Sequence, residues 1–180
     1  MIRFFDFIFS LIGLIFLSPL LIFFLFVGYL DNGDPIFKQF RVGYNQKTFL
    51  LFKLRTMDVG TPSVATHLLD NSSITFFGKF LRQTKFDEIL QLWNVLIGDM
   101  SIVGPRPCLI SQKKLVFERK KRGVFKVKPG ITGLAQLSGV TMKRPTLLAI
   151  TDARMIKQSS LYYYFYYIIR TVIYIIFRKI

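Results

Sequence analysis

The sequence predicts a mixed α/β fold that is mostly helical, with one small β-hairpin and an apolar segment near each end of the chain. Hydrophobic residues make up 52% of the 180 residues, yet the formal net charge is +15. The apolar residues are concentrated in residues 7–30 and 161–177. Nucleic acid and anionic lipid headgroups both attract a basic surface, but the terminal apolar segments favour lipid. We therefore expect a membrane-bound protein without a nucleic-acid partner.

Residues 7–30 are long enough to enter a bilayer. As one straight helix they would measure ~36 Å, compared with a hydrocarbon core of ~30 Å. Ser18-Pro19 lies in the middle of this run. Proline removes a backbone donor and kinks or breaks a helix, and a nearby hydroxyl can satisfy the carbonyl that it frees. The run is thus either a kinked span or a helix-break-helix hairpin that enters and leaves on one face, and hydropathy does not separate these two.

The β-hairpin is predicted where two apolar runs flank a Gly/Asn turn. These runs are Ile36–Phe40 and Thr48–Leu54, with Gly43-Tyr44-Asn45 between them. Alternation places Lys53 and Arg55 on one face of the second strand. Two neighbouring cations could hold a diphosphate, and a solvated basic face explains them equally well.

Residues 79–97 carry a helical pattern with a broad apolar face. A narrow polar stripe lies beside that face, with Glu88 at its edge. Its members are Thr84, Asp87, Gln91 and Asn94. Asp87-Glu88 is the only pair of adjacent carboxylates among the ten acidic residues. Such a stripe suits a site for a metal or a polar ligand, and a solvated face remains the alternative.

Further cations and turns follow this helix. Pro105-Arg106-Pro107 presents one arginine, a residue that binds phosphate bidentately. Residues 113–128 are strongly basic, as in a solvated face or a surface that attracts acidic headgroups. Lys128–Gln136 contains three turn residues around a hydroxyl, and it predicts a loop whose backbone amides could contact a ligand.

The last apolar segment, Leu161–Phe177, is rich in tyrosine. At ~26 Å it is short for a transmembrane helix. Tyrosine prefers the headgroup level, so we expect an interfacial helix, with a second membrane span as the alternative. Residues 58–75 are predicted to form a polar loop that contains His67, the only histidine; Cys108, the only cysteine, is expected to serve in packing.

Several blocks now occur in a characteristic order. Around the carboxylate pair they are Arg82, Asp87-Glu88, Gln91-Leu92-Trp93-Asn94-Val95, Gly98-Asp99-Met100-Ser101 and Val103-Gly104-Pro105-Arg106-Pro107. Elsewhere they are Ser18-Pro19, Gln39-Phe40-Arg41-Val42-Gly43, Lys53-Leu54-Arg55-Thr56-Met57 and Pro129–Gln136. This pattern resembles the bacterial sugar transferases, the monotopic polyprenyl-phosphate phosphoglycosyl transferases, in their minimal form. The resemblance covers residues 1 to about 140.

The resemblance implies an architecture. Residues 1–30 would form a re-entrant membrane helix with its break at Ser18 and Pro19. Residues 31–160 would form the catalytic core, at the cytoplasmic face of the bacterial inner membrane, with amphipathic interfacial helices around it. Residues 161–180 would form an aromatic interfacial helix.

The resemblance also implies a reaction. Asp87 would attack the β-phosphate of a UDP-sugar, release UMP and carry the phosphosugar to polyprenyl (undecaprenyl) phosphate, with Glu88 as base. Mg²⁺ would be required, with Asp87 as a metal ligand. The residues that would bind substrate or phosphate are Lys53, Arg55, Arg82, Gln91, Asn94, Arg106, Thr132 and Gln136. An N-acetylated or deoxyamino sugar is expected, and the product would start a surface glycan such as O-antigen, capsule or exopolysaccharide.

The chain departs from the family pattern beside the carboxylates. Lys85-Phe86 and Ile89-Leu90 flank Asp87-Glu88, where the family usually has Ser-Leu and Leu-Pro. Without that proline, a more regular helix is expected after the pair. A non-catalytic basic membrane scaffold or an anionic-lipid-binding protein is the alternative function. The sequence leaves open the identity of the sugar, the glycan pathway and whether the chain forms a homodimer.

Overall fold

The computed structural model describes residues 1–61 and 73–177. His67 and most of the predicted loop over 58–75 lie outside the described residues. The strands are β1 (Ile36–Val42), β2 (Thr48–Leu54), β3 (Ser101–Val103) and β4 (Gly130–Thr132). The helices are α1 (Ile2–Asn32), α2 (Phe76–Thr84), α3 (Gln91–Ile97), α4 (Lys113–Lys121), α5 (Leu134–Leu137), α6 (Pro145–Lys157) and α7 (Leu161–Phe177). The mostly helical fold with a small hairpin is confirmed.

Helix α1 continues through the predicted break. Pro19 lies inside it, and the helix ends at Gly33, whose φ of 72° is left-handed. Pro19 has no N–H to donate to the carbonyl of Ile15, and the Ser18 hydroxyl donates to that carbonyl instead, at 2.7 Å. The helical assignment is therefore continuous across Ser18-Pro19, and the re-entrant course of this segment stays a prediction. The predicted role of a nearby hydroxyl is confirmed.

Helix α1 is attached to the rest of the protein near its amino terminus. The Arg3 guanidinium donates to the Leu96 carbonyl at the end of α3, at 2.7 Å. The buried Asp6 carboxylate accepts hydrogen bonds from the Ser101 hydroxyl, the Ile102 amide and the Tyr164 hydroxyl, at 3.0, 2.9 and 2.8 Å. A buried carboxylate that is satisfied in this way fixes the helix firmly, because losing a partner would leave a charge unsolvated.

The second half of α1 is attached to the same body. Phe24 is buried in a hydrophobic cluster with Leu54 of β2, Leu81 of α2 and Ile89. Its ring centroid lies 5.2 Å from that of Phe86. Both halves of this long apolar helix therefore contact the domain formed by the remainder of the chain. Much of the remaining α1 surface is exposed and apolar, including Phe4, Phe7, Ile12, Ile15, Phe16, Ile22, Phe23 and Phe26.

The predicted β-hairpin is present. Strands β1 and β2 pair antiparallel, with Ile36 opposite Leu54 and Val42 opposite Thr48. Helix α3 is bound to β2 by one side chain, because the Asn94 amide donates to the Leu50 carbonyl at 2.8 Å and its oxygen accepts from the Phe52 amide at 3.0 Å. The pairing fixes the strand that carries Lys53 relative to the helix that follows the carboxylate pair.

A short parallel pair replaces the predicted loop over Lys128–Gln136. Ser101 of β3 lies opposite Gly130 of β4, and Val103 lies opposite Thr132. A Cβ atom at Gly130 would lie 2.0 Å from the Gly104 nitrogen, so the close approach requires glycine. The Gly130 amide donates to the Pro105 carbonyl at 2.9 Å. The Gly130 amide thus holds the turn before Arg106, and ligand binding by the rest of this segment stays a prediction.

The single helix predicted over 79–97 is also wrong. Helix α2 ends at Thr84, Lys85 adopts a left-handed φ of 63°, and Phe86–Glu88 form one 3₁₀ turn before α3 begins. Far from being more regular, the chain changes direction at the carboxylate pair. This change lets Phe86 join the cluster around Phe24 while Asp87 faces a cavity.

The break redistributes the predicted faces of this segment. Asp87, Gln91 and Asn94 of the polar stripe are buried, whereas Trp93 and Ile97 of the predicted apolar face are about half exposed. Helix α7 has the predicted bounds, and its carboxyl-terminal half exposes apolar side chains, among them Val172, Ile173, Ile176 and Phe177. Exposed apolar surface on α1, α3 and α7 is consistent with association of the protein with a membrane.

Candidate active site

The carboxylate pair opens into a polar cavity of about 630 Å³. Strands β1 and β2, helix α2, the 3₁₀ turn, the turn at Arg106 and residues 139–143 all contribute to its lining. Among the described residues, its lining includes six cationic side chains and two carboxylates. These are Arg41, Lys53, Arg82, Lys85, Arg106 and Lys143, with Asp87 and Glu88. Such an excess of cations favours a ligand that carries several negative charges.

Asp87 is the more basic carboxylate of the pair. Only 6% of its surface is exposed. Burial raises the pKa of Asp87, the charge of Glu88 raises it further, and Lys53 and Lys85 oppose the change. A carboxylate that is buried and yet faces a cavity can act as a nucleophile toward an electrophilic ligand.

Glu88 has a different environment because it forms an ion pair with Arg106. Burial opposes ionisation of Glu88, but the charge and the hydrogen bond of Arg106 together outweigh burial, so the pKa of Glu88 lies below its ordinary value. Adjacent residues in the chain therefore have pKa values displaced in opposite directions, which is typical of carboxylates with different tasks.

A buried ion pair behind the cavity positions Arg106. The Arg119 guanidinium donates to the Arg106 carbonyl at 2.8 Å, and to the Asp152 carboxylate at 3.0 and 2.7 Å. Arg119 and Asp152 are each 1% exposed. The sequence placed Arg119 in a solvated or headgroup-facing basic run, and this assignment is corrected. Its burial depends on Asp152, 33 residues away, and no local pattern indicates that contact.

Two further cations complete the charged side of the cavity. Burial lowers the pKa of Lys53 to about 8, although Asp87 partly opposes this change. Burial, together with Arg106, lowers the pKa of Arg41 to about 10. The Arg41 Nε is buried and has no hydrogen-bond partner among the described residues, while one Nη donates to the Pro107 carbonyl at 3.2 Å. The other Nη donates to the Gln39 side-chain oxygen, so Arg41 contributes positive charge to the cavity while its position is fixed within the protein.

Comparison with known proteins places this arrangement in a family. Residues 1–178 match the family described as "Bacterial sugar transferase". The chain belongs to the bacterial sugar transferases. An uncharacterized sugar transferase of Bacillus subtilis, EpsL, is 41% identical over 138 residues, which are 76% of this chain and 68% of EpsL. The family resemblance inferred from the motifs is thus confirmed.

Other relatives of this sugar transferase have names that include a reaction. The undecaprenyl-phosphate galactose phosphotransferase of Salmonella typhimurium is 37% identical over 76% of this chain and 32% of its own length. The UDP-glucose:undecaprenyl-phosphate glucose-1-phosphate transferase of Klebsiella pneumoniae is 40% identical over 79% of this chain and 32% of its own length. The chain spans about a third of the length of these two relatives.

The structure of the transferase brings together many of the residues that the sequence singled out. Those that line the polar cavity are Lys53, Arg82, Asp87, Glu88, Arg106 and Gln136. Arg82 is also held in place, since its Nε donates to the Thr56 hydroxyl at 2.8 Å. Arg41, Lys85 and Lys143 line the cavity as well and were not predicted as site residues. Arg41 lies within the hairpin block that carried the family resemblance, so that block was an available signal; Lys85 and Lys143 had none.

Four predicted ligand-binding residues of the transferase lie outside the lining of this cavity. Arg55 forms an ion pair with Asp34 at 2.5 Å and donates to the Asp34 carbonyl at 2.7 Å. Asn94 is fully buried against β2, and Gln91 is buried as well. Thr132 lines a second cavity. The structure therefore gives Arg55 and Asn94 contacts within the protein, and their expected placement at a bound phosphate stays a prediction.

The carboxylates of the transferase also bear on the expected magnesium ion. In the described part of the chain, no group of three or more His, Cys, Asp or Glu side chains could enclose a metal ion. Mg²⁺ is commonly bound by one or two carboxylates together with substrate phosphates and water. Asp87 fits that type of site because Glu88 is already paired with Arg106.

Proposed function

We propose that this protein transfers a sugar 1-phosphate from a UDP-sugar to undecaprenyl phosphate and releases UMP. The observation that carries the proposal is a buried carboxylate, Asp87, that faces a cavity lined by six cationic side chains. The cavity volume of about 630 Å³ is within the range of small-molecule sites. The names of the Salmonella and Klebsiella relatives, which refer to undecaprenyl phosphate, support the same conclusion. The product would start a bacterial surface glycan.

The first step is attack by the Asp87 carboxylate on the β-phosphorus of the donor. A bond forms between the aspartate oxygen and phosphorus, the bond to the bridging oxygen breaks, and UMP leaves with that oxygen. A carboxylate and a diphosphate repel each other, so Lys53, Arg82 and Arg106 reduce the cost of their approach. In the second step, the phosphate oxygen of the acceptor attacks the same phosphorus and releases Asp87.

Glu88 and Arg106 form a pair whose properties change when phosphate binds. Arginine forms bidentate hydrogen bonds with phosphate, so a bound phosphate competes with Glu88 for the guanidinium. Without Arg106, burial would raise the pKa of Glu88, since burial is the largest influence on that pKa. Glu88 then becomes a better acceptor for a proton from the incoming acceptor phosphate.

We also propose that Mg²⁺ is bound by Asp87 together with donor phosphate oxygens, where it supplies further charge neutralisation. The protein's part is to hold one carboxylate at the cavity wall while Arg106 neutralises the other. An N-acetylated or deoxyamino sugar remains the expected sugar of the donor. Residues 139–143 line the same cavity as the carboxylates and are in a position to contact it.

Product analysis tests the function. The purified protein should release UMP from a UDP-sugar only when Mg²⁺ and undecaprenyl phosphate are present in multiple-turnover conditions. Release of UDP would indicate transfer of the sugar without its phosphate and would contradict the proposal. A screen of UDP-sugars with the same UMP assay identifies the sugar.

Helix α1 is proposed to be re-entrant, so that the chain stays on the cytoplasmic face of the inner membrane. The support is geometric: Arg3 and Asp6 contact α3, β3 and α7, whereas Phe24 contacts β2 and α2 of the same body. These attachment points are ~30 Å apart along a straight helix, which is about the thickness of the hydrocarbon core. A helix that crosses the bilayer along its normal would have to leave one of these contacts on the far side.

Labelling tests this topology. The test uses a tag at Met1 and the substitution Lys120→Cys on α4, in a Cys108→Ser background. We expect both positions to react with an impermeant reagent only in inverted vesicles, which expose the cytoplasmic face. The Lys120 site is the control, since it reports the side of the catalytic core. Labelling of Met1 from the periplasm, with Lys120 protected, would establish a crossing helix.

The pH dependence of donor capture is expected to follow Lys53. A lysine with its pKa lowered to about 8 is charged below that pH and loses its charge above it. The value of kcat/KM for the donor should therefore fall as the pH rises beyond about 8, because kcat/KM reports the free enzyme. In Lys53→Arg the alkaline fall should move to higher pH, because arginine stays protonated. An unchanged alkaline limb in this variant would assign the titration to another group.

A further inference from the structure

A second cavity, of about 380 Å³, is also lined by Glu88 and Arg106. It shares Lys85, Glu88, Arg106 and Gln136 with the polar cavity. The remainder of its lining is largely apolar and comes from the start of α3, the β4–α5 segment and the end of α7. The apolar side chains are Ile89, Leu92, Ile131, Leu137 and Ile175, and Tyr174 adds an aromatic ring with a hydroxyl.

The two threonine hydroxyls of this second cavity are already bonded within the protein. The Thr132 and Thr171 hydroxyls lie 2.5 Å apart, and the Thr171 hydroxyl donates to the Tyr167 carbonyl at 2.7 Å. Thr132 therefore donates to Thr171, and these walls offer a ligand little beyond apolar contact. The charged groups of this cavity, Lys85, Glu88 and Arg106, are all shared with the polar cavity.

Helix α7 contributes to the wall of this cavity and exposes apolar side chains next to it. Tyr174 and Ile175 line the cavity, and their neighbours Ile173, Ile176 and Phe177 are exposed. The site thus passes from a phosphate-binding arginine to an apolar surface suited to a membrane. A ligand that matches this order has an anionic head and a long hydrocarbon tail.

We infer that this cavity binds the first isoprene units of the acceptor lipid and directs its phosphate toward Arg106 and Glu88. The inference rests on the proposed function and adds a location for the acceptor. Donor and acceptor would then occupy separate cavities that meet at Glu88. The acceptor phosphate can then approach a phosphosugar on Asp87 while the side chains that bound the donor stay in place.

A matched pair of substitutions tests this location. Ile175 lines the cavity and Ile176, the next residue, does not; both are on the exposed side of α7, at 44% and 68% exposure. Ile175→Trp should fill the cavity and raise the KM for undecaprenyl phosphate by about tenfold or more, the usual cost of a steric mismatch in an apolar pocket. Ile176→Trp should leave this KM within about twofold of the wild type, because it only adds surface that a membrane tolerates.

The donor half-reaction separates this inference from the proposed function. A stoichiometric burst of UMP without acceptor should be the same in the wild type, Ile175→Trp and Ile176→Trp. If the wild type gives no burst, the proposed function fails. If Ile175→Trp loses the burst, the variant Leu137→Phe on α5 is tested in its place. It should keep the burst and raise the KM for undecaprenyl phosphate. An unchanged acceptor KM in the variant that retains the burst, or an equal rise in Ile176→Trp, would overturn the inference.

Acceptor chain length gives an independent readout. With polyprenyl phosphates of increasing length, the KM of the wild type should fall steeply over the first few isoprene units and then level off. Ile175→Trp should weaken the dependence of KM on the first few isoprene units and leave the effect of the distant units on KM unchanged. A straight-chain alkyl phosphate with a KM as low as that of the prenyl series would show a site for hydrocarbon chains in general and would contradict a prenyl site.

Discussion

Replacement of Asp87 by asparagine is expected to abolish both turnover and the covalent phosphosugar adduct. The amide has the shape of the carboxylate but cannot displace UMP from phosphorus. Removal of a catalytic nucleophile commonly lowers kcat on the order of 10⁴-fold or more. Mass spectrometry of the protein after incubation with donor and Mg²⁺ detects the adduct, and UMP release measures turnover.

The folded state should tolerate this change. The folded-state pKa of Asp87 lies above its ordinary value, so its ionisation costs stability at neutral pH, and this cost disappears as the pH falls below the unfolded pKa. We therefore expect Asp87→Asn to melt at the same temperature as the wild type or higher at pH 7, and to remain bound to membranes. Asp58→Asn, at an exposed position, is the matched control and should retain activity. Normal turnover in Asp87→Asn would exclude Asp87 as the nucleophile.

Arg106→Ala should cause the second-largest loss. Arg106 neutralises Glu88 and lines both cavities, so its removal leaves a buried carboxylate without its partner and leaves phosphate without a bidentate donor. A single donor to a developing negative charge is commonly worth about 10²–10³ in kcat. Steady-state UMP release over a range of donor concentrations gives kcat and KM separately.

Lys120→Ala is the comparison for Arg106→Ala. Lys120 is an exposed cation on α4 outside both cavities, so its loss should change activity little. Equal losses in the two variants would show that net charge, and not a placed guanidinium, supports the reaction. Arg106→Lys should recover only part of the activity, because a lysine supplies charge without the planar pair of donors.

The sequence predicted the local elements with regular patterns. The hairpin over 36–54 and helix α7 appear within or close to the predicted bounds, since alternation and a turn define the former and a continuous aromatic run the latter. Gly98, within one of the family blocks, ends α3 with a left-handed φ of 97°. Family motifs also identified Asp87, Glu88 and Arg106, which the fold assembles around a common cavity.

Predictions failed where distant contacts overrode local pattern. The helix over 79–97 breaks at Lys85 because Phe86 joins the aromatic cluster on α1, 62 residues earlier in the chain at Phe24, while Asp87 faces the cavity. Asn94 looked like a ligand-binding amide, but β2 uses both of its polar groups. A sequence shows that a polar residue lies on a stripe, but it does not show which partner satisfies that residue.

What the sequence determined by itself is the chemical inventory: apolar segments at both ends, a basic body, one adjacent carboxylate pair and an arginine between prolines. Side-chain type and spacing are local properties, so no tertiary contact is needed to recognise them. Tertiary structure alone decided how the environments of the two carboxylates, Asp87 and Glu88, differ. Asp87 and Glu88 are neighbours in the chain, yet Arg106 pairs only with Glu88, and a buried arginine on α4 holds the Arg106 turn in place. Burial and charge at a given carboxylate depend on what the fold packs beside it, and for this reason the pKa values of the two carboxylates differ in direction.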